Sequence, residues 1–233
     1  MAISRYLLLA LVCVSSFGFS QSDTSDELGG WYMYIGANRL SEKWYLHTEA
    51  QYRNHEAAPG SIDQLLLRTG LTYRYTNNDR FTGGYAYIAN HVYESDRDSP
   101  EVEEHRLFQE YLRRGKIGPR IGIEHRYRFE QRWIEDDFAL RARYRLMLTY
   151  PLNNTVIEKG TWFLATYDEL FINTEADYFG LNRFYVATGK QITDNLQLQA
   201  GILHQQNSVF GKWNLQFLVL YNLDFRKRSV ATP

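Results

Sequence analysis

From Ile117 to Tyr150 the chain alternates in polarity with a period of two. Ile121, Ile123, His125, Tyr127 and Phe129 interleave with Gly122, Glu124, Arg126, Arg128 and Glu130. After a polar link, Phe138, Leu140, Ala142, Tyr144, Leu146, Leu148 and Tyr150 interleave with Ala139, Arg141, Arg143, Arg145, Met147 and Thr149. Successive side chains of a strand point to opposite faces, so the pattern predicts a hairpin of two strands. One face is apolar and aromatic, and the other carries arginine and glutamate. A soluble sheet with one wet face shares this alternation. Ordinary strands, however, run about 5–6 residues, whereas a transmembrane strand needs about 9–11. Length, a lipid-like face and a charged face together fit a transmembrane barrel with a polar lumen.

The same reading extends along the chain. Strands are expected at Trp31–Arg39, Lys43–His55, Leu65–Thr76, Phe81–Glu94, Glu104–Arg114, Val156–Asn173, Asn182–Thr193, Leu196–Gln206 and Lys212–Arg226. Phe81–Glu94 has ambiguous facing, because Tyr85 and Tyr87 compete with Ala86 and Ile88. Glu104–Arg114 also admits a helix through Leu107, Tyr111 and Arg114. In the last segment Trp213, Leu215, Phe217, Val219, Tyr221, Leu223 and Phe225 form one face. Asn214, Gln216, Asn222 and Asp224 dominate the other, with Leu218 and Leu220 between them.

Tight connections are expected at Leu40–Glu42, Asn77–Asp79, Gly115–Gly118, Pro151–Asn154 and Asp194–Asn195. The mostly longer ones are His55–Ile62, Ser95–Glu103, Trp133–Asp136, Thr174–Leu181 and Asn207–Gly211. Outer-membrane barrels sort their loops in this way and usually have an even strand number. Placing every tight turn on one side leaves Trp31–Arg39 without an obvious partner. The expected fold is all-β, an antiparallel up-and-down transmembrane β-barrel of 10–12 strands.

Composition fits this picture. A net charge of −1 implies no bulk attraction to nucleic acid, and a mean hydropathy of −0.46 is too polar for a bundle of membrane helices. Aromatics make up 15%, with 18 Tyr, as strands and membrane interfaces favour. Residues 1–20 read as a signal peptide: Arg5 precedes the apolar run Tyr6–Val14, and Gly18 and Ser20 lead to Gln21 as the mature N-terminus. A buried N-terminal helix is the alternative. Cys13 lies within the apolar run after Val12, which argues against a lipoprotein. Its removal leaves no cysteine. The expected organisation is 1–20 signal peptide, 21–30 flexible lead-in, 31–228 barrel and 229–233 tail. The expected location is the outer membrane of a Gram-negative bacterium. The implied partners are outer-membrane lipid, the barrel assembly machinery and a possible small anionic solute.

Candidate chemistry is sparse. The six histidines form no close metal-binding spacing, and His125 falls on the apolar face. Ser41, Ser61, Ser95, Ser99, Ser208 and Ser229 lie in turns, loops and the tail, away from histidine-bearing strands. Asp168 and Glu169 are adjacent, so they face opposite sides, and Glu169 reads as a partner for a lumen arginine. The acidic Ser95–Glu104 stretch reads as a solvated loop rather than a calcium site. Asn153-Asn154-Thr155 reads as a chance sequon. No catalytic, cofactor or metal residues are assigned. The expected lumen-lining set is Glu49, Arg68, Arg74, Glu124, Arg126, Arg128, Glu130, Arg141, Arg143, Arg145, Glu169 and Arg183, with Arg53 beside it. This set supports either a structural Arg–Glu network or a narrow, anion-favouring, porin-like pore. A soluble exported barrel binding a small ligand and an outer-membrane barrel enzyme are the alternatives.

Several short motifs carry a family resemblance. Trp31, Leu40-Ser41-Glu42-Lys43-Trp44, Tyr52-Arg53, Tyr167-Asp168-Glu169-Leu170-Phe171, Asn182-Arg183 and Tyr221-Asn222-Leu223-Asp224-Phe225 occur in this order. Together they resemble the domain of unknown function 2490 family, over nearly all of the mature chain. That family is similar to predicted outer-membrane barrels of Gram-negative bacteria, Bacteroidetes prominent among them. The resemblance implies location and fold, and it brings no catalytic residues.

Overall fold

The structure is a computed structural model that describes residues 23–24 (backbone only), 28–91, 100, 102–174 and 179–226. Residues 1–20, the acidic stretch from 95 to 99 and the tail 229–233 lie outside the described residues, with the expectations made for them. A two-residue strand β1 (Asp23–Thr24) precedes eleven long ones. These are β2 (Gly29–Arg39), β3 (Trp44–Asn54), β4 (Ile62–Arg74), β5 (Asp79–Asn90), β6 (Val102–Ile117), β7 (Ile121–Ile134), β8 (Asp137–Pro151), β9 (Trp162–Asn173), β10 (Phe179–Gln191), β11 (Leu196–Gln206) and β12 (Phe210–Tyr221).

Each of the eleven pairs antiparallel with the next, and β12 closes the barrel on β2. An up-and-down meander with an odd strand number leaves its first and last strands pointing the same way. The seam is therefore parallel, from Asn214↔Gly29 to Leu220↔Ile35. This resolves the parity difficulty: Trp31–Arg39 belongs to a full strand whose second neighbour is the last one.

The two faces follow the sequence period. In β4, Leu67 is 47% exposed while its neighbours Leu66 and Arg68 are 2% and 6% exposed. The ambiguous β5 places Ala86 and Ile88 inside with Tyr85 and Tyr87 outside. The segment that also admitted a helix is β6, a 16-residue strand with Glu104, Arg106 and Phe108 facing inward. On the outside, Trp44, Tyr73, Phe81, Tyr111, Tyr127 and Tyr144 are successive registered partners across six strands. This row starts at the first residue of β3 and reaches the middle of β8, so the strands are tilted, as barrel closure requires.

Glycine shapes the inner wall at one point. A Cβ on Gly84 would lie 2.2 Å from the Thr69 carbonyl oxygen and 2.8 Å from the Phe108 ring. Gly70 is its registered partner. The two bare backbones leave a hollow that Phe108 fills, and Phe108 is 1% exposed.

The connections are less sorted than expected. Trp133–Asp136, expected among the longer loops, narrows to a two-residue turn at Glu135 and Asp136, with Glu135 at φ 52°. Pro151–Asn154, expected as a tight turn, opens instead into the ten-residue connection 152–161, and β9 starts at Trp162 rather than Val156. Local side-chain bonds explain this, since Asn and Thr compete with ladder pairing. Asn153 Oδ1 accepts from Trp162 N at 2.8 Å, and Asn154 Nδ2 donates to Thr161 Oγ1 at 2.7 Å. Arg120 Nη2 adds bonds to the carbonyls of Pro151, Leu152 and Asn154.

The expected last strand also ends early, at Tyr221. Asn222 Oδ1 takes the Ala37 N–H at 2.8 Å, and the tail folds onto the end of β2 through Arg39 N to Leu223 O and Phe225 N to Arg39 O. Arg226 fastens it there, with Nη1 2.5 Å from Glu42 and Nη2 2.6 Å from Asp224.

Candidate functional site

Alternation puts every second side chain of the strands into the lumen, and there the chain carries charge. Six glutamates anchor the interior: Glu49, Glu104, Glu110, Glu124, Glu130 and Glu169. Glu130 is fully buried. It takes Nε and Nη2 of Arg141 at 2.8 and 2.6 Å and Nη1 of Arg143 at 2.9 Å. Glu169 takes Arg126 at 2.5 Å and Nε and Nη2 of Arg143 at 3.0 and 2.8 Å. Glu110 takes Nε and Nη2 of Arg128 at 2.8 and 2.5 Å. Elsewhere in the lumen, Glu49 binds Arg68 at 2.7 Å, Glu124 binds Arg145 at 2.6 Å and Arg114 at 2.9 Å, and Glu104 holds Arg106 and Arg132.

Aromatic rings support the guanidinium groups from beneath. Arg68 and Arg128 lie 5.3 and 5.1 Å from the Phe108 centroid, and Arg143 lies 4.2 Å from that of Phe171. Buried ion pairs repay their desolvation only when the geometry is good and the remaining hydrogen-bonding capacity is met. Multidentate contacts, shared carboxylates and ring faces supply much of that here.

Two chambers lie against the network. The one toward β2's first residues is about 300 Å³, and the one toward the Leu40–Lys43 turn is about 720 Å³. Glu49, Arg126, Arg128 and Arg145 border both. The larger chamber has a neutral amide wall from Gln191, Gln197, Gln199 and Gln216, and Ile157 and the tail residues Asn222–Asp224 reach its mouth.

Of the expected lumen set, eleven residues converge in or against this network or its chambers: Glu49, Arg68, Glu124, Arg126, Arg128, Glu130, Arg141, Arg143, Arg145, Glu169 and Arg183. Arg74 sits apart at the barrel's end, donating to the Glu42 carbonyl at 2.6 Å beside Tyr45. Sequence reasoning missed Glu104, Arg106, Glu110 and Arg132. Continuing the β7 parity two residues past Glu130 finds Arg132. In β6 the signal is blurred, because Phe108 faces inward while His105 and Gln109 face outward. His125 lies on the outer face, where Nδ1 is 2.9 Å from the Tyr144 hydroxyl.

Asp168 faces outward too, accepting from Asn182 Nδ2 at 2.9 Å, so it and Glu169 do not form a carboxylate pair. Among the described residues no group of three or more His, Cys, Asp and Glu could hold a metal ion. No curated protein and no solved structure matches the chain. The model of the family described as "Protein of unknown function (DUF2490)" matches residues 28–216, from the residue before β2 into the middle of β12, and the chain belongs to that family.

Proposed function

We propose that the chain is an outer-membrane β-barrel of a Gram-negative bacterium, exported with loss of residues 1–20, whose lumen is closed at its waist by its own Arg–Glu network. One observation carries this reading: large apolar side chains stand exposed on the outside of every strand from β3 to β12. They include Trp44, Leu71, Phe81, Leu107, Phe129, Phe138, Leu164, Val186, Ile202 and Phe217. Soluble monomers rarely expose apolar patches beyond a few hundred Å², and removing such surface from water gains about 25 cal/mol per Å². Lipid is the partner that covers a belt running across ten of the eleven long strands. The barrel assembly machinery is the route by which such a chain reaches it.

Inside, shared carboxylates cross-link neighbouring strands, so the network serves rigidity before transport. Fractionation tests the reading. The mature protein is expected with the outer membrane, extracted only by detergent, with gel migration that changes on boiling. Recovery of all of it in the soluble periplasmic fraction would contradict it.

A further inference from the structure

The smaller chamber contains an imbalance that the network does not resolve. Ten arginines line it, and eight sit in salt bridges with glutamate. Among the described residues Arg53 and Arg183 form none. Both lie against the indole of Trp31, with guanidinium carbons 3.7 and 4.8 Å from the ring centroid. Arg183 also lies 4.6 Å from the Phe171 centroid, and Arg143 follows on that ring. The result is an alternating series of Arg53, Trp31, Arg183, Phe171 and Arg143. Only its Arg143 end is neutralised, by Glu130 and Glu169.

The other two arginines have neutral hydrogen-bond acceptors alone. Arg53 donates Nη2 to Gln51 Oε1 at 2.8 Å, and its buried Nε has no acceptor. Arg183, only 8% exposed, donates Nε to Gln205 Oε1 at 2.9 Å, and no described protein group takes its two Nη nitrogens. Arg53 lies within electrostatic range of Arg183, Arg106 and Arg143, so positive charge accumulates here. The carboxylate that attracts Arg53 is Asp63, whose Oδ1 lies 4.0 Å from His55. Glu169, beside Arg183, already serves Arg126 and Arg143.

Desolvated cations with open donors call for an anion. Guanidinium forks match phosphate oxygens with two parallel N–H bonds each. The amide groups of Gln64 and Asn90 line the same chamber, Gln64 Nε2 donating to Asn90 Oδ1 and Asn90 Nδ2 to Val102 O, and 300 Å³ suits a small solute rather than a polymer. We infer that this chamber is a binding site for a phosphate group, free or on a small solute, held by Arg53 and Arg183, which flank Trp31. The inference rests on the closed-lumen reading above, which makes the chamber a blind pocket.

The test is calorimetric titration of the full mature barrel in detergent, with inorganic phosphate and with glycerol phosphate, in about 0.1 M chloride to screen diffuse attraction. Saturable binding is expected for at least one. Arg53→Gln and Arg183→Gln should each weaken it about tenfold or more, since charge-assisted hydrogen bonds are lost. Arg113→Gln, which removes the same charge from the outside, should leave it unchanged. Preference for glycerol phosphate would identify a solute as the source, and equal or better binding of inorganic phosphate would identify the free ion. Failure of both to bind, or equal binding by all variants, would overturn the site. Heat-modifiable migration, read on every sample, separates that result from loss of the barrel. If Arg183→Gln fails that check, Arg53→Gln carries the comparison.

Discussion

Arg143 Nη1 lies 2.9 Å from Glu130 Oε1, and the other side of the same guanidinium grips Glu169. Glu130 belongs to β7 and Glu169 to β9, so one arginine on β8 ties both neighbouring strands from inside. Glu130 has no access to solvent. Removing one partner from a buried charge pair leaves the other uncompensated, at about 3–5 kcal/mol. Glu130→Gln should therefore destabilise the barrel by roughly that amount, because it strands Arg141 and leaves Arg143 with Glu169 alone. Urea unfolding in lipid vesicles checks this, and a change below about 1 kcal/mol would mean that water already screens the pair.

Facing gives a second prediction. Leu146 lies outside and Arg145 inside, bonded to Glu124. Leu146→Arg should destabilise by roughly 2–4 kcal/mol if it sits near the bilayer midplane. Arg145→Leu avoids that lipid penalty and leaves Glu124 with Arg114. The same vesicle unfolding measurement should rank Leu146→Arg as the more damaging, and the reverse order would contradict the assignment of faces.

Neighbouring glycines provide a third test. Gly84 faces the lumen under Phe108, whereas a Cβ on Gly83 would meet nothing within 4 Å. Gly84→Ala should cost about 1–3 kcal/mol by overpacking and disturb the ring on which Arg68 and Arg128 rest. Gly83→Ala should be neutral or slightly stabilising. Equal effects in thermal unfolding would show that Phe108 does not need the hollow.

The tail supplies a pH dependence. A hydrogen bond from the Arg226 side chain, with a second from its backbone, brings the Asp224 carboxyl down to about 2, and Arg226 also lowers Glu42. Depressed carboxyl groups contribute above their ordinary range, near pH 4, and the contribution is lost as pH falls through the depressed value. Protection of the Phe225 amide, which donates to Arg39 O, should persist from pH 7 to about 4 and drop below about 3. Arg226→Ala should abolish it at neutral pH. Unchanged protection in that variant would show that backbone bonds alone hold the tail.

Much of this molecule was legible from alternation. The β7–β8 hairpin reads directly because its parity is unbroken: arginine and glutamate occupy one face and aliphatic and aromatic residues the other. The eleventh strand was visible as Trp31–Arg39, but its parallel partner was not, since a seam joins chain ends that share no local signal. Strand β6 was obscured by Phe108, an apolar residue used inside as a platform for cations, and with it went Glu104 and Glu110. Those carboxylates came with Arg106 and Arg132, so the surplus of arginine stayed as it was, and carboxylates that each serve two arginines absorb most of it. What remained was Arg53 and Arg183, which no pattern distinguishes from their paired neighbours. The 152–161 connection was hidden because Val156 and Ile157 resemble a strand until the Asn153 and Asn154 side chains close the loop.

Planar-bilayer recording on the purified protein tests the proposed closed waist most directly. Glu49, Arg126, Arg128 and Arg145 border both chambers, and the ion pairs of Glu49, Glu110, Glu124 and Glu169 hold these arginines and Arg68 in place. The native barrel should insert without sustained open steps, and any brief openings should favour anions because arginine outnumbers glutamate along the path. Large, long-lived steps, above all cation-selective ones, would contradict a lumen sealed by its own ion pairs.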